Sequence, residues 1–328
     1  SAVANVLGLN ISASFNSVVT IYILIPLIII PQMVLSGAMF PFSRLNAIVG
    51  GGHNVPVMAD VMPAKWAYEG AMTNQFKHNK YGELFYNLDR DISHYDFRLA
   101  HVVNELKKAA QRIDIIAKSS NGEVDEEKLA EVKNLALFIE TQLNEERTIE
   151  QQVFQQYSID TINLSDVEFL MSAFGAQKLL GHINSIEAAY EDVFNQAYNK
   201  KERVINALTA DSVKSAMLRD YELRYFNKAV EEQVKNQASL IDAYDVIDNK
   251  VVQFSDPIYQ KGEFTTGNGL SAPFFASEKG FFGITLSTYW FNMLVLWSMV
   301  VFLYIGLQFD LLSKLLNISN YIKLAKSK

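Results

Sequence analysis

Residues 18–40 read VVTIYILIPLIIIPQMVLSGAMF, a run without a single charged side chain. A bilayer's hydrocarbon core is about 30 Å thick and needs about 20 apolar residues in helical form, so this run predicts a membrane-spanning helix. Pro26 and Pro31 lie inside it. Each removes a backbone donor and frees a carbonyl one turn earlier. In lipid those groups need partners, so such a span is expected to pack inside a bundle or line a cavity. A kinked anchor is the plainer alternative.

A second run lies near the other end, from Ile284 to Leu307, ITLSTYWFNMLVLWSMVVFLYIGL. Phe281, Phe282, Tyr289, Trp290 and Phe291 gather at its start. Tyr and Trp favour the headgroup level, so this end belongs at an interface. Lys314, Lys323, Lys326 and Lys328 follow the run. Positive charge close behind a span marks the cytoplasmic side. The C-terminus is then cytoplasmic, the region between the spans is outside, and the first span runs outward. The charges fit: no Lys or Arg precedes Arg44, and none lies between Lys279 and Lys314. The chain opens at Ser1 without the basic segment of a signal peptide. It reads as a fragment of a longer protein, with residues 1–17 ending a preceding membrane helix and its turn.

Between the spans the sequence changes twice. Residues 41–76 hold Gly50-Gly51-Gly52 and then VPVMADVMPAKWAYEGAMTNQF, too short and too polar to span but rich in apolar and aromatic side chains. A re-entrant or interfacial helix pair is expected there. Residues 71–280 carry 23 basic and 33 acidic side chains, an acidic balance that gives no reason to bind nucleic acid. Leu99, Val102, Leu106, Ala109, Ile113 and Ile116 form an amphipathic stripe that Asn121-Gly122 ends. Leu129, Val132, Leu135, Ile139 and Leu143 form a second. Ser165 and Glu168 read as a capping box opening a third helix, with a seven-residue seam at Phe169, Ala176, Ile183, Tyr190, Ala197 and Val204. A fourth helix is expected over about Ser212 to Gln237, and residues 250–280 as an irregular return to the membrane.

The absence of cysteine excludes disulfides, thiolate metal sites and Cys nucleophiles. The sequence has no GxxxxGK[ST] phosphate loop, no HExxH and no GxSxG. His94 and His101 could share a helix face but have no third ligand at a helical spacing. Asp125-Glu126-Glu127 sits at a helix start, where acids complement the dipole. The chain is therefore expected to be no enzyme and to hold no metal or cofactor of its own. Glu69 stands out for a different reason. It lies in a mostly apolar stretch near the outer membrane surface, where an ionised group is costly unless it is partnered or reaches water.

Three stretches together resemble the G-subfamily (white-type) ABC exporters. LSGAMFPFSRLN at 35–46 is similar to the end of that family's fifth membrane helix, with its Ser-Gly pair. MPAKWAYEGAMTNQF at 62–76 is similar to its re-entrant segment, and the last span with its basic tail to its sixth helix. The resemblance implies an all-α membrane protein with ABC-2 type transmembrane helices. The segments are then 1–17, the span 18–40, the re-entrant stretch 41–76, an extracytoplasmic helical domain 77–280, the span 281–308 and a cytoplasmic tail 309–328. It implies a permease that works by alternating access in the bacterial inner membrane. Its partners would be an upstream nucleotide-binding domain carrying ATP and Mg, a second transporter half (homo- or heterodimer) and the lipid bilayer, with a periplasmic protein as a further partner. It places Pro26, Ile30 and Met33 along the substrate path and Ala38 and Met39 at the external gate; the plainer alternative is that all five pack against neighbouring helices. Glu69, from its own apolar surroundings, is expected as a latch on the outer end of a membrane helix, the alternative being an acid that reaches water. The roughly 200-residue insertion departs from the family and fits a bacterial branch with a periplasmic extension. The competing reading is a membrane-anchored receptor or scaffold with a periplasmic helical sensor domain. It leaves the two prolines and the WAYE string without a purpose.

The topology has a direct test, because the chain has no cysteine. Ser120→Cys should react with an impermeant maleimide in cells with a permeabilised outer membrane, and Ser327→Cys should not. The reverse pattern would overturn the orientation.

Overall fold

The computed structural model describes residues 1–15, 17–40, 42, 55–119, 126–236, 243–260, 272–281 and 283–314. The chain opens with α1 (Ala2–Ser14), α2 (Val18–Val34), α3 (Val57–Asp60) and α4 (Pro63–Lys77). Then come α5 (Gly82–Phe97), a π-helical turn (Arg98–Val103), α6 (Asn104–Ser119), α7 (Glu126–Ile149) and α8 (Gln151–Gln156). They are followed by α9 (Val167–Leu170), α10 (Ala173–Thr209), α11 (Ser212–Tyr225) and α12 (Lys228–Val234). The chain then forms β1 (Tyr244–Ile247), β2 (Lys250–Gln253), a short 3-10 turn (Pro257–Tyr259), β3 (Glu278–Phe281), β4 (Ile284–Ser287) and α13 (Thr288–Gln308). The described chain is mostly helical. It divides into two compact units, one of Ser1–Lys77, Ala229–Ile241 and Phe264–Lys328, the other of His78–Lys228 and Asp242–Glu263.

In the first unit α1 and α4 pack on α13. Asn10 ties α1 to it, its Nδ2 donating to Val6 O at 2.8 Å and to Leu303 O at 3.0 Å. The span expected over 18–40 is helical only to Val34. Ser36 Oγ donates to Met33 O at 2.8 Å and accepts from Ala38 N at 3.1 Å, while Gly37 turns left-handed at φ +77°. This turn stops α2 at 17 residues, about 25 Å at helical rise. Among the described residues only α13 is long and apolar enough to cross a bilayer. The second span also starts later than expected. Ile284–Ser287 pairs antiparallel with Glu278–Phe281, and Gly283 at φ +80° lies in the connection, so the helix begins at Thr288.

The second unit is built on α5, α6, α7 and α10, whose apolar faces meet in one core. Leu106, Ala109, Ile113 and Ile116 of the α6 stripe are buried there with Val132, Ile139, Ile183 and Ile186. The third helix is not continuous from Ser165. Asp166, rather than Ser165, caps the short α9 by accepting from Phe169 N at 3.0 Å, and Ser172 restarts the chain as α10 by accepting from Gly175 N at 3.0 Å. The corner is tight: a Cβ on Gly175 would lie 1.9 Å from Phe169 O, so only glycine fits. The stretch expected to be irregular holds order as well. Asp248 and Asn249, both at positive φ, make the two-residue turn that a hairpin twist favours, and they join β1 to β2. Residues 43–54 with the Gly triplet, residues 120–125 with the turn expected at Asn121-Gly122, Phe282 and the tail beyond Lys314 lie outside the described residues.

Candidate functional site

Pro63 opens α4 at a position where a missing N–H costs nothing. One turn in, Lys65 Nζ meets Asp60 Oδ1 at 2.9 Å and lies 3.5 Å from the Trp66 ring centre. Trp66 Nε1 donates to Asp60 O at 2.7 Å, which fixes α3 against the start of α4. Glu69 follows one turn later and is fully buried.

Its carboxylate is saturated with donors. Lys279 Nζ, from β3, lies 2.7 Å from Oε1 and 2.8 Å from Oε2. Phe275 N donates to Oε1 at 3.2 Å. Asn292 Nδ2, in the second turn of α13, donates to Oε2 at 3.0 Å and to Trp66 O at 3.0 Å. Gly70 allows this approach, because a Cβ there would already touch Asn292 Cβ at 3.4 Å. Lys279 is buried too, 4.9 Å from the Trp66 ring centre and 5.6 Å from that of Phe291. Asp60, Lys65, Glu69 and Lys279 sum to zero charge, so the ion pairs are compensated where they lie. A saturated carboxylate has no lone pair to spare for a reacting proton. What the arrangement can do is join α4, the segment before β4 and the first turns of α13 at one point.

Glu69 thus touches α13 at its aromatic end. Pro26, Ile30 and Met33 stand exposed on α2, a helix with no buried side chain in this unit, and Ala38 and Met39 are exposed on the turn behind it. The structure does not bring these five residues to Glu69. Lys279 was missed by sequence reasoning. The available signal was a lone cation directly before a 34-residue stretch without another, a place where burial demands an anion.

A second buried polar network occupies the other unit. Arg98 Nε lies 2.9 Å from Glu146 Oε2 and 3.6 Å from Glu150 Oε1, and Arg98 Nη1 is 3.1 Å from His94 Nδ1. A guanidinium only donates, so Nδ1 accepts and His94 presents its Nε2 proton to Glu150 Oε1. Tyr95 donates to Glu150 Oε2 at 3.0 Å and Tyr190 to Glu146 Oε2 at 2.6 Å. Gln142 Nε2 donates to Glu146 Oε1 at 3.1 Å, and its Oε1 accepts from Val251 N at 2.7 Å. Burial alone would raise Glu150, but the His94 hydrogen bond, the Arg98 charge and the Tyr95 hydroxyl hold it below the usual carboxylate range. Burial, then the neighbouring carboxylates, push Tyr95 and Tyr190 upward. His101 does not join His94: its ring lies against Tyr244, 4.6 Å between centres. No group of three metal-ligating side chains occurs among the described residues.

No protein-family model, characterised protein or solved structure matches the chain.

Proposed function

We propose that this chain is the membrane-embedded permease portion of an ATP-driven exporter of the ABC-2 type, working by alternating access in a bacterial inner membrane. The carrying observation is the Glu69 clasp, which fastens the re-entrant helix α4 to the outer turns of α13 by a compensated, buried ion pair. An anchor has no use for so costly a joint. A helix that must hold one packing and then release it does. The exposed apolar surface of α2 supports the same reading, since it is ready to meet another transporter half or lipid. ATP and Mg belong to an upstream nucleotide-binding domain, and this chain supplies the path rather than the chemistry.

The test uses the protein joined to its upstream region. That protein should hydrolyse ATP, and the chain alone should bind none. Glu69→Leu combined with Lys279→Met leaves no charge buried alone, and it should abolish export while expression holds. Export at the native level in that variant would reduce the clasp to packing.

The gate has its own comparison. Met39→Ala should loosen the outer seal and raise basal ATPase severalfold. Met39→Leu, which nearly conserves volume, should leave it unchanged. Equal behaviour of both variants and the native protein would remove Met39 from the mechanism.

A further inference from the structure

Residues 272–279 meet the turn at the C-terminal end of α2 through Phe274, and two backbone positions around that contact are unusual. Gly37, just past α2, has φ +77°, and a Cβ on it would lie 2.8 Å from two ring carbons of Phe274. The ring of Phe274 is seated on bare backbone. It packs edge-on to Phe42 with centres 4.8 Å apart, and beside Tyr68 at 6.4 Å. Leu35 and Ala59 are buried in the same cluster, with Val55 and Met62 around them. The next residue, Phe275, has φ +71°. For a bulky side chain that left-handed conformation is strained and persists only where the surroundings impose it.

Those surroundings are identifiable. Phe275 is the third residue of a turn that Ala276 N closes on Pro273 O at 3.0 Å, and Phe275 N also donates to Glu69 Oε1 at 3.2 Å, so two bonds hold the strained residue. Thr288, at the start of α13, holds the stretch further on: its hydroxyl donates to Ala276 O, and its N–H donates to Ser277 O at 3.1 Å. Lys279 then ties the end of the stretch to the same carboxylate at 2.7 Å. Glu69 therefore holds the segment at Phe275 and Lys279, Thr288 holds it at Ala276 and Ser277 between them, and Phe274 lies just before the strained link.

We propose that residues 272–279 are a strap that presses Phe274 as a stopper onto Ser36-Gly37, with Glu69 as its catch. This deepens the permease reading and rests on it for the meaning of "outer gate". When the catch lets go, only the Ala276–Pro273 turn bond still holds Phe275, too little to keep a bulky residue strained, and Phe275 relaxes out of the left-handed region. That rotation carries Phe274 off Gly37 and uncovers Leu35 and Ser36. Phe274 is a positioning residue for the gate: it contacts the turn before Ala38 and Met39, and it sets whether that turn is covered.

The reporter is Ser36→Cys, a near-isosteric change at a buried position in a chain with no other cysteine. The full-length protein, with any cysteine upstream of Ser1 replaced, is placed in liposomes and treated with an impermeant maleimide, and the labelling rate is read. Labelling should be slow with Ser36→Cys alone and with added Phe274→Leu, which keeps a stopper. It should rise about tenfold or more with Phe274→Ala, and likewise with Glu69→Leu/Lys279→Met, where Phe275 N–H has no acceptor and the strain is free to relax. Adding Phe275→Gly to that pair removes the strain and should slow labelling again, an effect that general loosening would not produce. Equal rates across the set would overturn the strap, as would failure of Phe275→Gly to reverse the increase. Labelling needs no transport. Fast labelling in a protein that hydrolyses no ATP would remove the exporter reading and leave the strap. Uniform labelling in a working exporter would remove the strap alone.

Discussion

Replacing Lys279 with Met should lower the stability of the first unit by about 3–5 kcal/mol, the usual consequence of leaving one member of a buried ion pair alone. Glu69 would keep its bonds from Phe275 N and Asn292 Nδ2 but lose the cation that lies within 2.8 Å of both its oxygens. Its remaining positive neighbour, Lys65, is committed to Asp60 at 2.9 Å. Glu69→Leu should cost a similar amount, since Lys279 would then be stranded between Trp66 and Phe291. The two losses should not add. Glu69→Leu/Lys279→Met removes both charges and should recover most of the stability of either single variant, because well-packed apolar side chains replace buried ion pairs at little cost. All three tryptophans of the chain, Trp66, Trp290 and Trp297, belong to this unit, so thermal unfolding followed by tryptophan fluorescence reads it selectively. A double variant as unstable as the sum of the singles would mean that the pair is not coupled and that the clasp is only packing.

Local signals in the sequence translated well into local structure. The α6 stripe predicted a buried face at Leu106, Ala109, Ile113 and Ile116 because a 3.6-residue period is a property of one segment alone. Glu69 was singled out from its own apolar surroundings, and it is fully buried. Its partner Lys279 stands 210 residues away, and no single-segment pattern carries that pairing. The ends of the apolar runs were misjudged for a related reason. Composition cannot distinguish Ile284–Ser287 as the start of a helix from the same residues as a strand, and the choice was made by pairing with Glu278–Phe281. Likewise Ser165 and Glu168 satisfied a capping pattern, but the close approach of Gly175 to Phe169 O decided where α10 begins. The Arg98 network was illegible because Arg, His and Glu on amphipathic helices ordinarily face water. Here four of them, His94, Arg98, Glu146 and Glu150, are buried together.

That network yields the second large effect. Arg98→Leu should destabilise the second unit by about 3–5 kcal/mol and should reverse its response to mild acid. In the native chain Glu150 titrates below the ordinary carboxylate range: burial alone would raise it, but the His94 hydrogen bond and the Arg98 charge outweigh that. A carboxylate with a depressed folded value contributes stability that is fully present above its unfolded value, about 4.3 for Glu. That contribution is lost only as pH falls through the folded value, so Glu150 takes nothing from the native unit between pH 7 and about 5; His101 and His182, both lowered by burial, bind protons better in the unfolded chain and make the native stability decline over that range. Without the guanidinium, Glu146 and Glu150 are two buried anions gathered around Arg98's former place, and His94 Nδ1 has lost its donor. Burial and mutual repulsion then raise at least one carboxylate above its unfolded value. At that carboxylate the folded state of the variant binds more protons than the unfolded state; this outweighs the opposite contribution of His101 and His182, and stability rises as pH falls from 7 to 5. Tyr190→Phe, by contrast, removes one donor to Glu146 while leaving Arg98 in place, and should cost less without inverting the slope. Hydrogen exchange of α7 and α10 amides in the full chain, corrected for the intrinsic pH dependence of exchange, reads the local opening free energy directly. Parallel pH profiles for native and Arg98→Leu proteins would show that Arg98 does not compensate the two carboxylates. Opposite slopes between pH 7 and 5 are the expected result, because only the charge that faces both Glu146 and Glu150 differs between the two chains.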